Sequence, residues 1–270
     1  GLNWASIIHD PTLNTIVLKS AKDASKNAVS VPFNDSDDER IPGMRERLES
    51  INTKLSRTLL NLFVPDEDER KINKKLRGDP DEVSLDFTRR HLFRVFNNNS
   101  WDEGGRFYGG WWQGIPKEYR PYIQIEGKMT VEWDYSSIHP MILYAQAGDQ
   151  MPADAYAIPG WEDEYRSLIK LAFQQLVNCA PATRSKGRWR TLAPDLIPEP
   201  EPVEWNKLKK YEKAKLSRIE FTRITGRDYS TLLNDIIEYH EPIQDRFFTR
   251  AWSSSQYSDA EIAEEVMVRL

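Results

Sequence analysis

An alternating pattern of apolar and polar residues covers positions 129–135 and predicts a β-strand, because successive side chains of a strand point to opposite faces. The apolar members are Met129, Val131, Trp133 and Tyr135, and the polar members are Thr130, Glu132 and Asp134. Residues 138–147 follow with an apolar helical pattern that ends at Gly148, a residue type common just after a helix. The pattern therefore predicts a sharp turn from strand to helix, with the carboxylate of Asp134 at the corner.

Helical patterns dominate the rest of the chain. Apolar residues recur at spacings of three and four through positions 44–62 and predict an amphipathic helix of about five turns. A second helical pattern begins at Asp66, with acidic residues in its first turn and basic residues in its last, as the helix dipole favours. These two helices would form a hairpin. Further helical patterns cover residues 161–178, 204–225 and 230–239, a segment that begins near Pro242, and residues 259–270.

Composition narrows the class of protein. The 270 residues carry a net charge of −5 and a single cysteine, Cys179, which excludes an intramolecular disulfide and favours a cytoplasmic location. No apolar run approaches the roughly 18 residues that a membrane span requires, and no signal-peptide pattern opens the chain. The net charge does not indicate a nucleic-acid-binding protein, but a locally basic groove would be sufficient for one.

Asp134 is the first candidate for chemistry. A carboxylate held at a rigid strand-to-helix corner can bind a divalent metal, because Mg²⁺ prefers hard oxygen ligands on a stiff support. The same position is also typical of an ordinary helix N-cap or turn residue. The local pattern alone therefore leaves both a metal site and a structural turn open.

The polar face of the helix predicted at 161–178 is the second candidate. Glu162, Arg166, Lys170, Gln174 and Asn178 recur every four residues and would share one face. Arg166 and Lys170, one turn apart, could hold a triphosphate through charge-assisted hydrogen bonds. The alternative is a solvated helix face with a Glu162–Arg166 ion pair.

A glycine-rich and aromatic segment at 104–116 is the third candidate. Paired glycines around Arg106 would let the backbone approach a ligand closely, and an arginine among aromatic residues suits phosphates and stacked bases. The alternative is a tight turn packed under Trp111 and Trp112. A basic loop at 184–190 is a further candidate phosphate contact, although such loops are more often simply solvated.

These segments occur in the order in which family A DNA polymerases carry their motifs, and residues 104–270 resemble that family. The matching segments are Gly105-Arg106-Phe107 with Gln113-Gly114-Ile115-Pro116 for the upstream template–primer motif, Asp134-Tyr135-Ser136-Ser137-Ile138 for motif A, Arg166-x-x-x-Lys170 for motif B, and residues 256–267 for the helix before motif C. Each motif alone is weak, whereas four in this order are fairly specific.

The resemblance implies a catalytic role for Asp134, which would hold two Mg²⁺ ions together with a second carboxylate from motif C. One metal ion would activate the primer hydroxyl and the other would stabilise the leaving pyrophosphate. Arg166 and Lys170 would bind the β and γ phosphates of the incoming nucleoside triphosphate. Tyr135 and His139 would lie beside that nucleotide.

The resemblance also implies that Arg106 and Gln113 contact the template–primer nucleic acid.

The chain departs from the family pattern at three positions. His139 replaces a glutamate that blocks the ribose 2′-hydroxyl, and because family B polymerases carry an aromatic residue there, the choice of sugar stays open. Gln174 and Asn178 replace aromatic residues that close the pocket around the nascent base pair.

The strand that carries motif C would follow the helix at 259–270, so the second metal-binding carboxylate is expected beyond these 270 residues. His240-Glu241 lies on an upstream helical run and does not substitute for it. We therefore expect a template-directed, DNA polymerase-like nucleotidyltransferase that is inactive as these 270 residues alone. Two alternatives stay open: a catalytically degenerate polymerase-like module that binds nucleic acid, and a structural globular protein.

The expected fold is α+β, with an incomplete palm sheet that carries Asp134 and with mostly helical fingers. The expected regions are a helical, thumb-like region at 1–84, the palm with motif A at 85–154, the fingers at 155–245, and a return to the palm at 246–270. The expected partners are template–primer nucleic acid and nucleoside triphosphates, with no membrane. An incomplete palm sheet would leave an exposed edge through which the chain self-associates.

Overall fold

The computed structural model describes residues 14–23, 25–76, 85–180, 192–202 and 204–269. The fold is α+β, about 50% helical with small mixed sheets, which confirms the expected fold class at this level. The chain divides into two compact units, Gly1–Ser136 with Gln256–Leu270, and Ser137–Ser255. The basic loop predicted at 184–190 lies outside the described residues.

Before Ser137, the described part of the first unit contains two small sheets and two α-helices. Its elements are β1 (Ile16–Lys19), β2 (Ser30–Val31), α1 (Ile41–Arg57), β3 (Leu60–Leu62), α2 (Asp66–Leu76), β4 (Phe93–Phe96), β5 (Gly104–Tyr108), β6 (Ile123–Ile125) and β7 (Lys128–Met129). One sheet has the strand order β2-β1-β4-β5, in which only the β1–β4 pair is parallel. The other sheet has the order β3-β6-β7 and is antiparallel.

The first predicted helix is shorter than its apolar pattern suggested. Helix α1 ends at Arg57, and Thr58 adopts an extended conformation. Leu62 continues the predicted helical pattern but belongs to β3, where it and Leu60 are buried on either side of an exposed Asn61. The last turn of the predicted helix is therefore wrong, because backbone pairing of β3 with β6 takes its place, whereas the helical hairpin stays a prediction. Helix α2 begins at Asp66 as predicted.

The predicted strand at 129–135 is also wrong over most of its length. Strand β7 ends at Met129, and the following residues through Tyr135 form no regular structure. Val131 and Trp133 are 75% and 90% exposed, so their alternating pattern does not mark a buried face. Strand β7 pairs with β6, and this pairing stops because β6 begins at Ile123 and the residues before it, Lys117–Tyr122, form a 3₁₀ helix. Asp134 is therefore in neither of the two sheets described for the unit.

The second unit is helical. Its helices are α3 (Ile138–Ala147), α4 (Arg166–Asn178), α5 (Lys210–Thr225) and α6 (Tyr229–Tyr239). Helix α3 ends at Gly148 with φ +72°, as the sequence predicted, and α6 begins within one residue of its predicted start. Helices α4 and α5 begin five and six residues later than predicted, each after a short 3₁₀ helix (Asp163–Tyr165 and Trp205–Lys207). The segment predicted near Pro242 is a 3₁₀ helix, Glu241–Arg246.

Helix α4 lies at the centre of the core of the second unit. Its buried residues are Ile169, Ala172, Phe173, Leu176 and Val177, which recur at helical spacing. They pack with buried residues of α3 and α6 and with Phe247. The apolar face predicted from the sequence is thus the buried face, and the polar residues of α4 lie on its other side.

The last helix, α7 (Trp252–Arg269), is longer than the pattern at 259–270 predicted. From Gln256 onward its residues belong to the first unit, where Tyr257 and Met267 pack on the cluster that includes Phe96 and Leu48. The functional regions expected from the sequence stay predictions, whereas the two compact units divide at 136/137 and 255/256. Of the helices that the structure describes, none is long and apolar enough to cross a membrane.

Candidate functional site

The residues implied by the polymerase resemblance are divided between the two units. Arg106, Gln113, Asp134 and Tyr135 belong to the first unit, and His139, Arg166 and Lys170 belong to the second. Each group is therefore described within its own unit.

Asp134 lies in the irregular segment that follows β7, and its side chain is exposed. Its carboxylate makes no hydrogen bond or ion pair within the described chain. Tyr135, next to it, is 57% exposed. Among the described residues, no group of three or more His, Cys, Asp or Glu side chains could hold a metal ion. Asp134 is thus available as one oxygen ligand, but the described side chains around it do not complete a metal site.

Arg166 begins α4 and forms a two-point ion pair with Asp154. Its Nε donates to Oδ2 of Asp154 at 2.9 Å, and its Nη2 donates to Oδ1 at 3.2 Å. The guanidinium also lies over the ring of Tyr156, 5.2 Å from the ring centroid. Hydrogen bonding to Arg166 holds the pKa of Asp154 below its usual value. The alternative of a Glu162–Arg166 pair is wrong, because Glu162 precedes the helix and Asp154 takes its place.

Lys170 follows Arg166 by one turn of α4 and is exposed. Within the part of the chain that the structure describes, its ammonium group makes no ion pair. Both cations therefore project from the solvent-facing side of a helix whose other side is fixed in the core, and one of them is open to an added ligand.

His139 lies in the first turn of α3 and packs against Trp252. Their ring centroids are 4.1 Å apart, and the ring planes are inclined by 30°. The imidazole of His139 is half-buried, and its contact with the indole of Trp252 covers part of its surface. The predicted place of His139 beside a nucleotide sugar stays a prediction.

Arg106 and Gln113 both have partners within the first unit. Arg106, on β5, forms an ion pair with Asp259 of α7 at 3.2 Å. Gln113 donates from Nε2 to the carbonyl of Phe107 at 2.9 Å and accepts at Oε1 from the amide of Gly110 at 3.1 Å. The side-chain amide of Gln113 is thus hydrogen-bonded within its own turn. Of these two residues, only Arg106 is charged, and its side chain is 39% exposed.

The sequence analysis missed a buried arginine on β4. Arg94 is fully buried and donates to the carbonyl of Gly105 at 2.7 Å, to Glu261 at 2.7 Å and to Glu264 at 3.2 Å. Glu264, itself 4% exposed, also accepts from Arg47 at 2.6 Å. The sequence contains one indication of this burial, because an arginine that lies between apolar residues of a short strand would be buried and would then require a partner.

Arg94 also explains Gly105, the second of the two glycines before Arg106. Gly105 has φ +68°, and a Cβ atom there would lie 2.9 Å from Nη2 of Arg94. The close approach predicted for this glycine is therefore made to a side chain of the same unit. This contact accounts for Gly105 without any bound ligand.

A second buried polar group lies in the core of the other unit. His240 is fully buried, and its Nε2 lies 2.8 Å from the carbonyl of Ala155, so Nε2 carries the proton and donates. Its Nδ1 then accepts from the hydroxyl of Tyr144 at 3.0 Å. Burial lowers the pKa of His240 to about 4. His240 is accordingly a neutral core residue, in keeping with its exclusion as a motif C equivalent.

No protein-family model, no curated protein and no solved structure matches this chain. The resemblance to family A DNA polymerases therefore stays a prediction.

Proposed function

We propose that this chain is part of a template-directed nucleotidyltransferase, and that the exposed face of α4 binds the triphosphate of its nucleotide. The observation that carries the proposal is the placement of Arg166 and Lys170 one turn apart on that face. Ile169 and Phe173 fix the opposite face in the core, so the two cations rise from a rigid support. Rigid placement lowers the entropy lost when a charged ligand binds.

The ion pair of Arg166 supports this assignment. A guanidinium engages carboxylate and phosphate through the same two-point geometry. Asp154 therefore occupies the edge of Arg166 that a phosphate would use. A triphosphate would displace this carboxylate, since the pair is about half exposed and pairs of that kind contribute only about 0–1 kcal/mol.

Asp134 enters the proposal as one metal ligand only. Its exposed carboxylate suits Mg²⁺ chemically, but the described residues do not provide the further ligands of a complete site. The two Mg²⁺ ions expected for the intact enzyme, and the contacts of Tyr135 and His139 with a nucleotide, are proposals of the same kind.

Nucleotide binding tests the role of the α4 face. Titration calorimetry with dATP and Mg²⁺ should show binding that Arg166→Gln and Lys170→Gln each weaken about threefold to tenfold, the effect of one lost charge-assisted contact. Lys215→Gln is the matched control, because Lys215 is an exposed lysine on α5, away from this face. Binding that is equal in all four proteins, or no binding to the unaltered chain, would refute the assignment.

A second candidate function is nucleic-acid binding without chemistry. It is favoured because Asp134 belongs to no group of metal-binding side chains in the described chain. Template-dependent primer extension with Mg²⁺ that is lost in Asp134→Asn would establish the enzyme. Salt-sensitive binding of template–primer without extension supports nucleic-acid binding but does not separate the two functions, because the first also predicts no activity for these 270 residues alone. If the chain has no affinity for template–primer at low salt, both nucleic-acid functions are wrong.

A further inference from the structure

The first unit contains an open cavity of about 750 Å³, none of whose lining residues belongs to the proposed nucleotide-binding face; Gln113, a predicted template–primer contact, is part of its lining. It lies among residues of α1, β3, β6, the 3₁₀ turn after β5, and α7. Its wall is largely apolar and aromatic and includes Leu55, Leu60, Trp111, Trp112, Ile125 and Met267. A cavity of this size with a mainly apolar wall has the dimensions of a small-molecule site.

Three charged residues also line the cavity, and only one of them lacks a charged partner. Arg120 forms an ion pair with Glu132 at 3.0 Å and donates from Nε to the carbonyl of Ile115 at 3.2 Å. Lys54 is exposed, and within the described chain it makes no ion pair. The lining therefore carries a net positive charge that is centred on Lys54.

The exposed members of the lining show where the cavity meets solvent. Lys54 and Ile125 are both exposed, whereas Leu60 and Trp111 are buried. A ligand that fills the cavity would place an apolar body between the tryptophans and a polar end near Lys54. A fully polar ligand is disfavoured, because its donors and acceptors would lose water against an apolar wall without gaining partners.

We propose that this cavity binds a small amphipathic monoanion of the fatty-carboxylate class, with its chain against Trp111 and Trp112 and its carboxylate at Lys54. The apolar wall supplies most of the affinity, since burial of each methylene is favourable. Lys54 supplies the preference for an anion through a charge-assisted hydrogen bond. The site is independent of the nucleotide face, whose residues lie in the other unit.

Titration calorimetry with decanoate, and with 1-decanol as the uncharged analogue of similar length, tests the proposal. Lys54→Met keeps most of the side-chain length but removes the charge, so it should weaken decanoate about threefold to tenfold and leave decanol unchanged. Ala263→Phe places a ring into the cavity from α7 and should weaken both ligands by more than about tenfold.

Two control variants match these changes. Lys215→Met removes an exposed lysine of the second unit, and Ala147→Phe adds a ring at an exposed helical alanine of α3. Neither should alter binding of decanoate. The proposal is overturned if the unaltered chain does not bind decanoate at millimolar concentration, or if Lys54→Met weakens decanol as much as decanoate. Unchanged binding in a folded Ala263→Phe variant would equally overturn it.

Discussion

Substitution of Arg94 by methionine tests whether its buried ion cluster holds the first unit together. The change keeps an unbranched side chain of similar reach but removes the hydrogen bonds to Gly105, Glu261 and Glu264. Glu264 would remain 4% exposed, with Arg47 as its one charged partner. We therefore expect the free energy of unfolding of this unit to fall.

The magnitude follows from the environment of each group. Removal of one partner from a buried pair costs about 3–5 kcal/mol, because the other charge stays buried without compensation. Two contacts reduce this cost here. Arg47 still neutralises Glu264, and Glu261 is 38% exposed and can turn to water. We expect Arg94→Met to destabilise the unit by about 3 kcal/mol, the lower end of that range.

The double variant Arg94→Met with Glu264→Met separates the charge effect from packing. It removes both buried charges and leaves Arg47 40% exposed, with access to water. We expect it to be more stable than the sum of the two single changes predicts, by about 1–3 kcal/mol. Urea denaturation followed by far-UV circular dichroism gives the stabilities, and hydrogen exchange in β4 and α7 locates the loss.

Two results would refute this reasoning. The first is an Arg94→Met protein whose stability lies within about 0.5 kcal/mol of the unaltered chain, as for an ordinary surface change. The second is a double variant whose loss equals the sum of the two single losses, because additive effects would mean that the charges are not coupled.

Three further predictions follow from single sites. The pKa of His240 is about 4 in the folded chain and about 6.5 when unfolded. The unfolded chain therefore binds the proton first, and stability should fall by about 3 kcal/mol as pH drops from about 6.5 through 4. Urea midpoints at pH 7.5 and 4.5 should show this fall, and His240→Gln should reduce it; an unchanged pH dependence in that variant would contradict the assignment. Asp154→Asn should release Arg166 and tighten dATP binding about threefold by calorimetry, and weaker binding would indicate that Asp154 itself contributes to the site. Gly105→Ala should lower the urea midpoint more than Gly127→Ala, because both glycines have positive φ but only the first Cβ would meet a neighbour. Equal losses would show that the contact with Arg94 is unimportant.

Helices were predicted well where apolar residues at helical spacing were accompanied by typical terminal residues at a helix end. Helix α2 begins at the predicted Asp66, and α3 ends at the predicted Gly148. The buried face of α4 was also predicted, because apolar residues at helical spacing have one common side to bury. The α+β class was expected from the polymerase resemblance, and the structure confirms it at that level.

The pattern of apolar residues predicted the wrong secondary structure where pairing with another segment of the chain decided it. The apolar residues of α1 and β3 form one continuous pattern, and only pairing with β6 divides helix from strand. The alternation at 129–135 predicted a strand, but the strand stops at Met129, because its partner β6 begins at Ile123 and the residues before it form a 3₁₀ helix. Alternation of apolar and polar residues thus indicates which side chains a strand would bury, but it does not show whether a neighbouring strand is present to pair with it.

The candidate site also combines features that the sequence determines with features that only the tertiary structure decides. The sequence by itself determined that Arg166 and Lys170 share a helix face and that Gly105 requires a special backbone. Tertiary structure alone decided the partners: Asp154 for Arg166, Asp259 for Arg106, and the buried guanidinium of Arg94 for Gly105. Spacing along the chain specifies which side chains share a face, whereas the partner that each residue meets lies 11 to 153 positions away and is brought within hydrogen-bond distance by packing.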